Sequence, residues 1–236
     1  MFGLRQSPAE EMAVQTIAAA GAFVLAAYAV WLLAAELVRP TLPDSKFPPA
    51  FASAEIESAR SLSGLAAAIG VVRRDLWAER AMIDAGAVFS HPNALTSEQL
   101  EAVRSSATRA LSLGPFDSRT WLILAAISRP DRRPSRSQAF DLLKMSYYTG
   151  PNDRALVGAR LHYAIRIQAF AEPELSEAMR REIRAILRGA PELQPSIVSA
   201  YSDAGEAGRK FIEDAVAESD TEFRDTLRAA GSQGGS

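Results

Sequence analysis

Ala110-Leu111-Ser112-Leu113-Gly114-Pro115-Phe116-Asp117, followed by an apolar helix-like run, returns 36 residues later as Ser146-Tyr147-Tyr148-Thr149-Gly150-Pro151-Asn152-Asp153, followed by another such run. A period of this size belongs to helical-hairpin repeats. In each copy Gly can supply the φ > 0 residue that ends a helix, Pro cannot continue it, and Asp can accept the orphan N–H groups of the next helix. The expected local structure is a helix, a tight turn and a second helix. A weaker Gly189-Ala190-Pro191 turn follows 39 residues after Gly150, so the pattern supports about three hairpins.

The residues around the first turn resemble the tetratricopeptide repeat: Ala110-Leu111-x-Leu113-x-Pro115, then Trp121-x-x-Leu124-Ala125. In that family a small residue and Leu close one repeat's second helix, Pro ends it, and Trp or Leu with a following Leu-Ala opens the next first helix. The second copy departs from this, with Tyr147 and Tyr148 where Ala-Leu would stand and Val157 in place of Trp121; Gly158 and Ala159 keep the small positions. The resemblance covers roughly Ser97 to Ala169. It implies an all-α, right-handed stack of antiparallel helical hairpins with a concave protein-binding surface; a plain helical bundle is the alternative.

Outward from this centre, the helical pattern begins at 53 and runs to about 230. Between Ser53 and Phe89, Leu62, Leu65, Ile69, Val72 and Leu76 make a narrow seam, with a break available at Gly70. Arg73 with Trp77 and Asp75 with Glu79 stand at i,i+4 and read as an ion-pair face beside a core Trp. A helix from Ser97 to about Leu113 buries Leu100, Val103, Ala107, Ala110 and Leu111. After the first Gly-Pro turn come Ser118 to Ser128, a loop, and a helix from Ser137 to Thr149 with Phe140, Leu143 and Tyr147 on one face. Met145 and Tyr148 point elsewhere and are candidates for an exposed groove. Arg154 to Phe170 forms the next first helix; His162 on it reads as a surface or satisfied core histidine. Leu175 to Leu187 sets Met179, Ile183, Ile186 and Leu187 against Arg180, Arg181, Arg184 and Arg188. From Tyr201 onward eight acids outnumber four bases, as for the polar cap of a stack. Residues 231–236 are a flexible tail.

The loop from Arg129 to Arg136 carries Arg129, Arg132, Arg133 and Arg136 with a single acid. Such a cluster can hold a phosphate, a lipid headgroup or an acidic polysaccharide by bidentate contacts, and it can equally be a solvated loop.

Amino-terminal to the repeats, a short tail (1–12) precedes an almost wholly apolar stretch at 13–38. Its uncharged part, Ile17 to Ala35, is 19 residues, or roughly 29 Å of helix against a hydrocarbon thickness of about 30 Å. This predicts a transmembrane helix. A cleaved signal peptide is the rival, with Ala50-Phe51-Ala52 as a small-x-small site, but the run is long for a signal and the site lies more than ten residues beyond it. Ala18, Gly21, Ala22, Ala26 and Ala29 share one side of the helix and could pack against another membrane helix. Residues 39–52 hold four prolines within Arg39–Pro49 and read as a semi-rigid spacer lifting the domain off the bilayer.

Composition excludes more than it selects. A formal net charge of −2 gives no general reason to bind nucleic acid. The absence of cysteine removes disulfides, thiolate metal sites and Cys nucleophiles, and two histidines are too few for a multi-histidine metal site. No phosphate loop, nucleophile elbow or isolated carboxylate pair stands out, so neither catalytic residues nor a cofactor nor a metal is expected. The expected function is a non-enzymatic, membrane-anchored interaction scaffold or assembly factor of a bacterial envelope complex, with surface-polysaccharide synthesis or export as the first pathway. Its partners are other membrane or envelope proteins, and lipid through the amino-terminal helix. The alternatives are a stably integrated subunit of an inner-membrane complex and an anionic-ligand module. The domain is expected in the periplasm, on a single-pass inner-membrane anchor; the oligomeric state is open.

Overall fold

A computed structural model describes residues 8–40, 53–90, 96–128 and 135–233. The described chain is all-helical: α1 Pro8–Leu37, α2 Ser53–Ile69, α3 Arg74–Ser90, α4 Ser97–Leu113, α5 Ser118–Ile127, α6 Ser135–Thr149, α7 Val157–Arg166, α8 Pro173–Gly189, α9 Gln194–Asp203, α10 Glu206–Ala217 and α11 Thr221–Gln233, with no strand among the described residues.

The helix boundaries follow local chemistry. Thr96 and Gln99 form a reciprocal capping box at the start of α4, and Asp117 accepts the Arg119 and Thr120 N–H groups at the start of α5, satisfying donors that have no intrahelical partner. Pro173 opens α8 behind Glu172, whose carboxylate accepts the Leu175 N–H. Asp153, expected to cap α7 in the same way, instead accepts the Ala155 N–H, and α7 begins only at Val157. The glycines act otherwise than expected. No described glycine has a positive φ; Gly114 ends α4 in an extended conformation with φ −167°. Their value is room: a Cβ at Gly150 would collide with the Ser118 side chain, and one at Gly114 with the Arg74 side chain.

Consecutive helices pack on one another from α2 through α6, and α3 also meets α5; beyond α6, helix α7 packs chiefly on α9 rather than on α6 or α8, while α6 meets α8, α8 meets α10, and α9 meets α11. One continuous apolar core extends from Ala81 and Met82 of α3 through Leu122, Leu143, Leu161, Met179 and Ile212 to Leu227 of α11. The seam expected along Ser53–Phe89 is corrected. Leu62, Leu65 and Val72 are exposed, and the buried side chains of α2 are the small ones, Ala59, Ser63, Ala66 and Ala67; α2 packs along α3, and Ala66 and Ala67 lie with Leu76 of α3 and Ala35 at the end of α1. The chain breaks at Gly70, where a Cβ would meet the Leu76 side chain.

Helix α1 holds the one described segment long and apolar enough to cross a membrane, Met12–Leu37, with mean hydropathy 2.2. Its residues 12–30 are exposed, whereas its last turns pack on the domain. Trp31 Nε1 donates to the Ile69 carbonyl at 2.8 Å. Ala35 is buried with Ala66, Ala67 and Leu76. Beyond it, Arg39 bonds the Glu79 carboxylate, and Glu36 pairs with Arg39 and Arg73, both at 3.0 Å. The ion-pair face around Arg73 is thus the clamp that seats α1. As α1 advances, its contacts move back along α2 and forward along α3, so it runs alongside α3. Arg39, the first residue of the expected spacer, lies on the domain surface; 41–52 fall outside the described residues.

Four turns gather at one end of the domain. Arg109 at the end of α4 donates to the Val71 carbonyl in the α2–α3 turn at 3.4 Å, and Arg74 reaches Asp117 in the α4–α5 turn at 3.4 Å. Ser118 donates to Asp153 in the α6–α7 turn at 3.3 Å, and Arg154 pairs with Glu192 beyond α8 at 3.2 Å. Both Gly-Pro-x-Asp motifs and the Gly189 turn are therefore on the same end.

Candidate functional site

Between α6 and α8, open toward that end, lies a cleft of about 580 Å³. Tyr148 and Pro151 contribute one wall, Ala185, Ile186 and Leu193 the other, and Arg154 and Arg181 stand at the rim with about two thirds of their side-chain surface exposed. Tyr147 and Glu182 reach the cleft from below. Tyr148 donates to Glu174 at 2.6 Å, and Lys144 pairs with the same carboxylate at 2.7 Å; these contacts hold both the tyrosine and the lysine and depress the Glu174 pKa.

Under the cleft is a buried polar network. Arg160, with no exposed surface, donates to the Ser146 hydroxyl at 3.1 Å, the Ser146 carbonyl at 3.0 Å, the Gly150 carbonyl at 2.7 Å and Glu182 at 3.4 Å. Tyr147 donates to the other Glu182 oxygen at 3.0 Å, and its ring lies 5.0 Å from the guanidinium carbon. Ser146 in turn donates to the Ser118 carbonyl at 2.8 Å. Helices α5, α6, α7 and α8 and the second Gly-Pro turn thus meet at one guanidinium. Desolvation pushes the Glu182 carboxyl up to about 7 against the pull of Arg160, and burial raises the Tyr147 phenol well above its ordinary value. An ion pair this deep gives a defined geometry more than it gives net stability.

Arg160 and Glu182 were not singled out from the sequence, although a signal was there. Each interrupts an apolar stripe, Arg160 among Val157, Leu161 and Ala164, Glu182 among Met179, Ile183 and Ile186, at positions a helix buries. The residues that were singled out are scattered. Tyr148 lines the cleft; Met145 is half-buried and outside its lining. Arg136 donates to the Ile167 carbonyl at 3.1 Å and to Gln168 at 3.3 Å, tying α6 to the end of α7. Arg129, Arg132 and Arg133 lie outside the described residues. Ala18, Gly21, Ala22, Ala26 and Ala29 are exposed along α1, with nothing within 4 Å of a Cβ placed on Gly21.

Chemically the cleft offers apolar walls, two rim arginines, the Tyr148 phenol and, at its floor, the Glu182 carboxyl. His162 is on the surface beside Asp203, at 3.3 Å. Among the described residues no group of three or more His, Cys, Asp or Glu side chains could hold a metal ion. Comparison with protein families, with characterised proteins and with solved structures finds no match to this chain.

Proposed function

We propose that the chain is a membrane-anchored adaptor whose cleft between α6 and α8 takes a short, acid-bearing segment of a partner protein close to the bilayer. The observation that carries this reading is the position and chemistry of the cleft. It opens at the end of the domain from which α1 departs, with apolar walls for side-chain burial and with Arg154 and Arg181, solvent-exposed at the rim beside Glu192 and Glu177, able to exchange those partners for a carboxylate of the incoming segment. Helix α1 serves as a single-pass anchor in a bacterial inner membrane, with the domain on the periplasmic face and the whole acting in an envelope complex. The consecutive packing of α2 through α6 and the common end of the Gly-Pro turns support a stack of the tetratricopeptide kind over that part of the domain.

The test is site-specific photocrosslinking in native membranes from Ala185 on the cleft wall, with Arg104 on the solvent side of α4 as the control. A discrete membrane-protein adduct from Ala185, lost when Arg154 and Arg181 are both replaced by Glu, is the expected result. Adducts equally abundant from both positions, or none from Ala185, would remove the cleft from the proposal. Stoichiometric co-purification in mild detergent would instead identify the chain as a permanent subunit.

A further inference from the structure

Beyond α1, the exposed large apolar side chains among the described residues are Leu62, Leu65, Val71, Val72, Phe116 and Tyr148. They are not scattered. Val71 and Val72 form the α2–α3 turn, Phe116 is in the α4–α5 turn with 82% of its surface exposed, and Tyr148 is on the last turn of α6. Leu65 and Leu62 follow up α2, the farther one roughly 10 Å from that helix's end. The first Gly-Pro turn thus presents a phenylalanine to solvent, which neither the turn nor the core requires.

Helix α1 says what this end faces. Its Trp31 is bonded at the carboxyl end of α2, and its later residues run up beside α3, so its exposed residues 12–30 project past the α2–α3 turn, away from the domain, for roughly 28 Å. A bilayer crossed by that segment begins at about the level of Trp31 and Tyr28, whose rings pack 5.6 Å apart and are the residue types that favour the headgroup layer. The four gathered turns are at the same level. Around them stand the exposed cations Arg74, Arg109, Arg154 and Arg188, with Asp117, Asp153 and Glu192 among them, so the apolar tips are ringed by side chains able to meet lipid phosphates.

We infer that the Gly-Pro-turn end of the domain is a second membrane contact, in which Val71, Val72 and Phe116 enter the interfacial layer of the bilayer that α1 crosses. The inference rests on the reading of α1 as an anchor, and its test separates the two. The chain has no cysteine, so single substitutions Phe23→Cys, Val72→Cys, Phe116→Cys and Glu98→Cys give unique positions for an environment-sensitive nitrobenzoxadiazole label. Glu98 begins α4 at the opposite end, about 25 Å away along that helix. The full-length protein is reconstituted in nanodiscs of phosphatidylethanolamine and phosphatidylglycerol, with and without doxyl-labelled lipid. Blue-shifted emission and loss of fluorescence to the doxyl quencher at 23, 72 and 116, with neither at 98, is the expected pattern. Quenching at 23 while 72 and 116 behave as 98 would overturn the second contact and leave the anchor standing; no quenching at 23 would overturn both.

Discussion

Replacing Arg160 by Leu tests the buried network most directly. The substitution keeps most of the apolar volume but removes four donated hydrogen bonds and leaves Glu182 without its cation in a site with almost no solvent. Breaking one partner of a buried pair costs about 3–5 kcal/mol, a large part of the roughly 5–15 kcal/mol of a folded domain. The cost depends on pH, because Glu182 can escape its isolation by taking up a proton. With Arg160 present its folded pKa is about 7, against an ordinary 4.5; without the cation it rises further. At pH 5 the carboxyl is mostly neutral in both proteins, and only the hydrogen bonds separate them. At pH 8 the wild type carries a paired carboxylate that the variant cannot match. Urea unfolding of the detergent-solubilised full chain, followed by circular dichroism at both pH values, should show a clearly larger loss at pH 8. Converting Glu182 to Leu as well should restore much of it, since matched apolar replacement of a buried pair is often neutral. An equal loss at the two pH values would refute the assignment of Glu182 as the group left stranded.

Three further outcomes follow from the same packing. In the wild type, Glu182 has a folded pKa above its unfolded one, so its contribution is fully present below about pH 4.5 and is lost as pH rises through about 7; Glu182→Gln should flatten that part of the stability profile, as read by chemical denaturation across pH 4 to 8. Gly150→Ala should destabilise by about 1–3 kcal/mol, because the new methyl meets Ser118 against the fixed Arg160 network, whereas Gly114→Ala should cost less, since the Arg74 side chain can swing aside; differential scanning calorimetry of the two variants compares them. Asp117→Ala should cost about 1 kcal/mol through loss of the α5 cap, with faster amide exchange at Arg119 and Thr120 as its local signature.

The Gly-Pro-x-Asp repeat was legible because turn chemistry is local. Pro stops a helix and Asp caps one whatever lies around them, and the positions of α4, α5 and α6 follow from that. The reason for glycine was not legible. Helix termination by a left-handed residue and close approach by a neighbouring helix leave the same letter in the sequence, and only the position of Ser118 beside Gly150 tells them apart. The seam through Leu62, Leu65 and Val72 misled for a related cause. Leucine spacing marks a face that is apolar without saying whether protein or something else covers it, and α2 gave its small face to α3 and the end of α1. The cleft, the clamp from Arg39 to Glu79 and the Arg160–Glu182 pair all join residues at least 22 positions apart, for which no local rule speaks.

The clamp at the end of α1 also has a mechanical side. It grips only the last turns of the helix, between Trp31 and Arg39, and leaves a free shaft of roughly 28 Å below. A shaft fixed at one end acts as a lever: a tilt of about 20°, ordinary for a helix adapting to bilayer thickness, carries its far tip sideways by roughly 10 Å or, if the tip is held, swings the domain through the same angle. On the proposed reading of α1 as an anchor, local membrane thickness would then bear on the attitude of the domain and its cleft, opposed by the proposed contact of the Gly-Pro-turn end with the same bilayer.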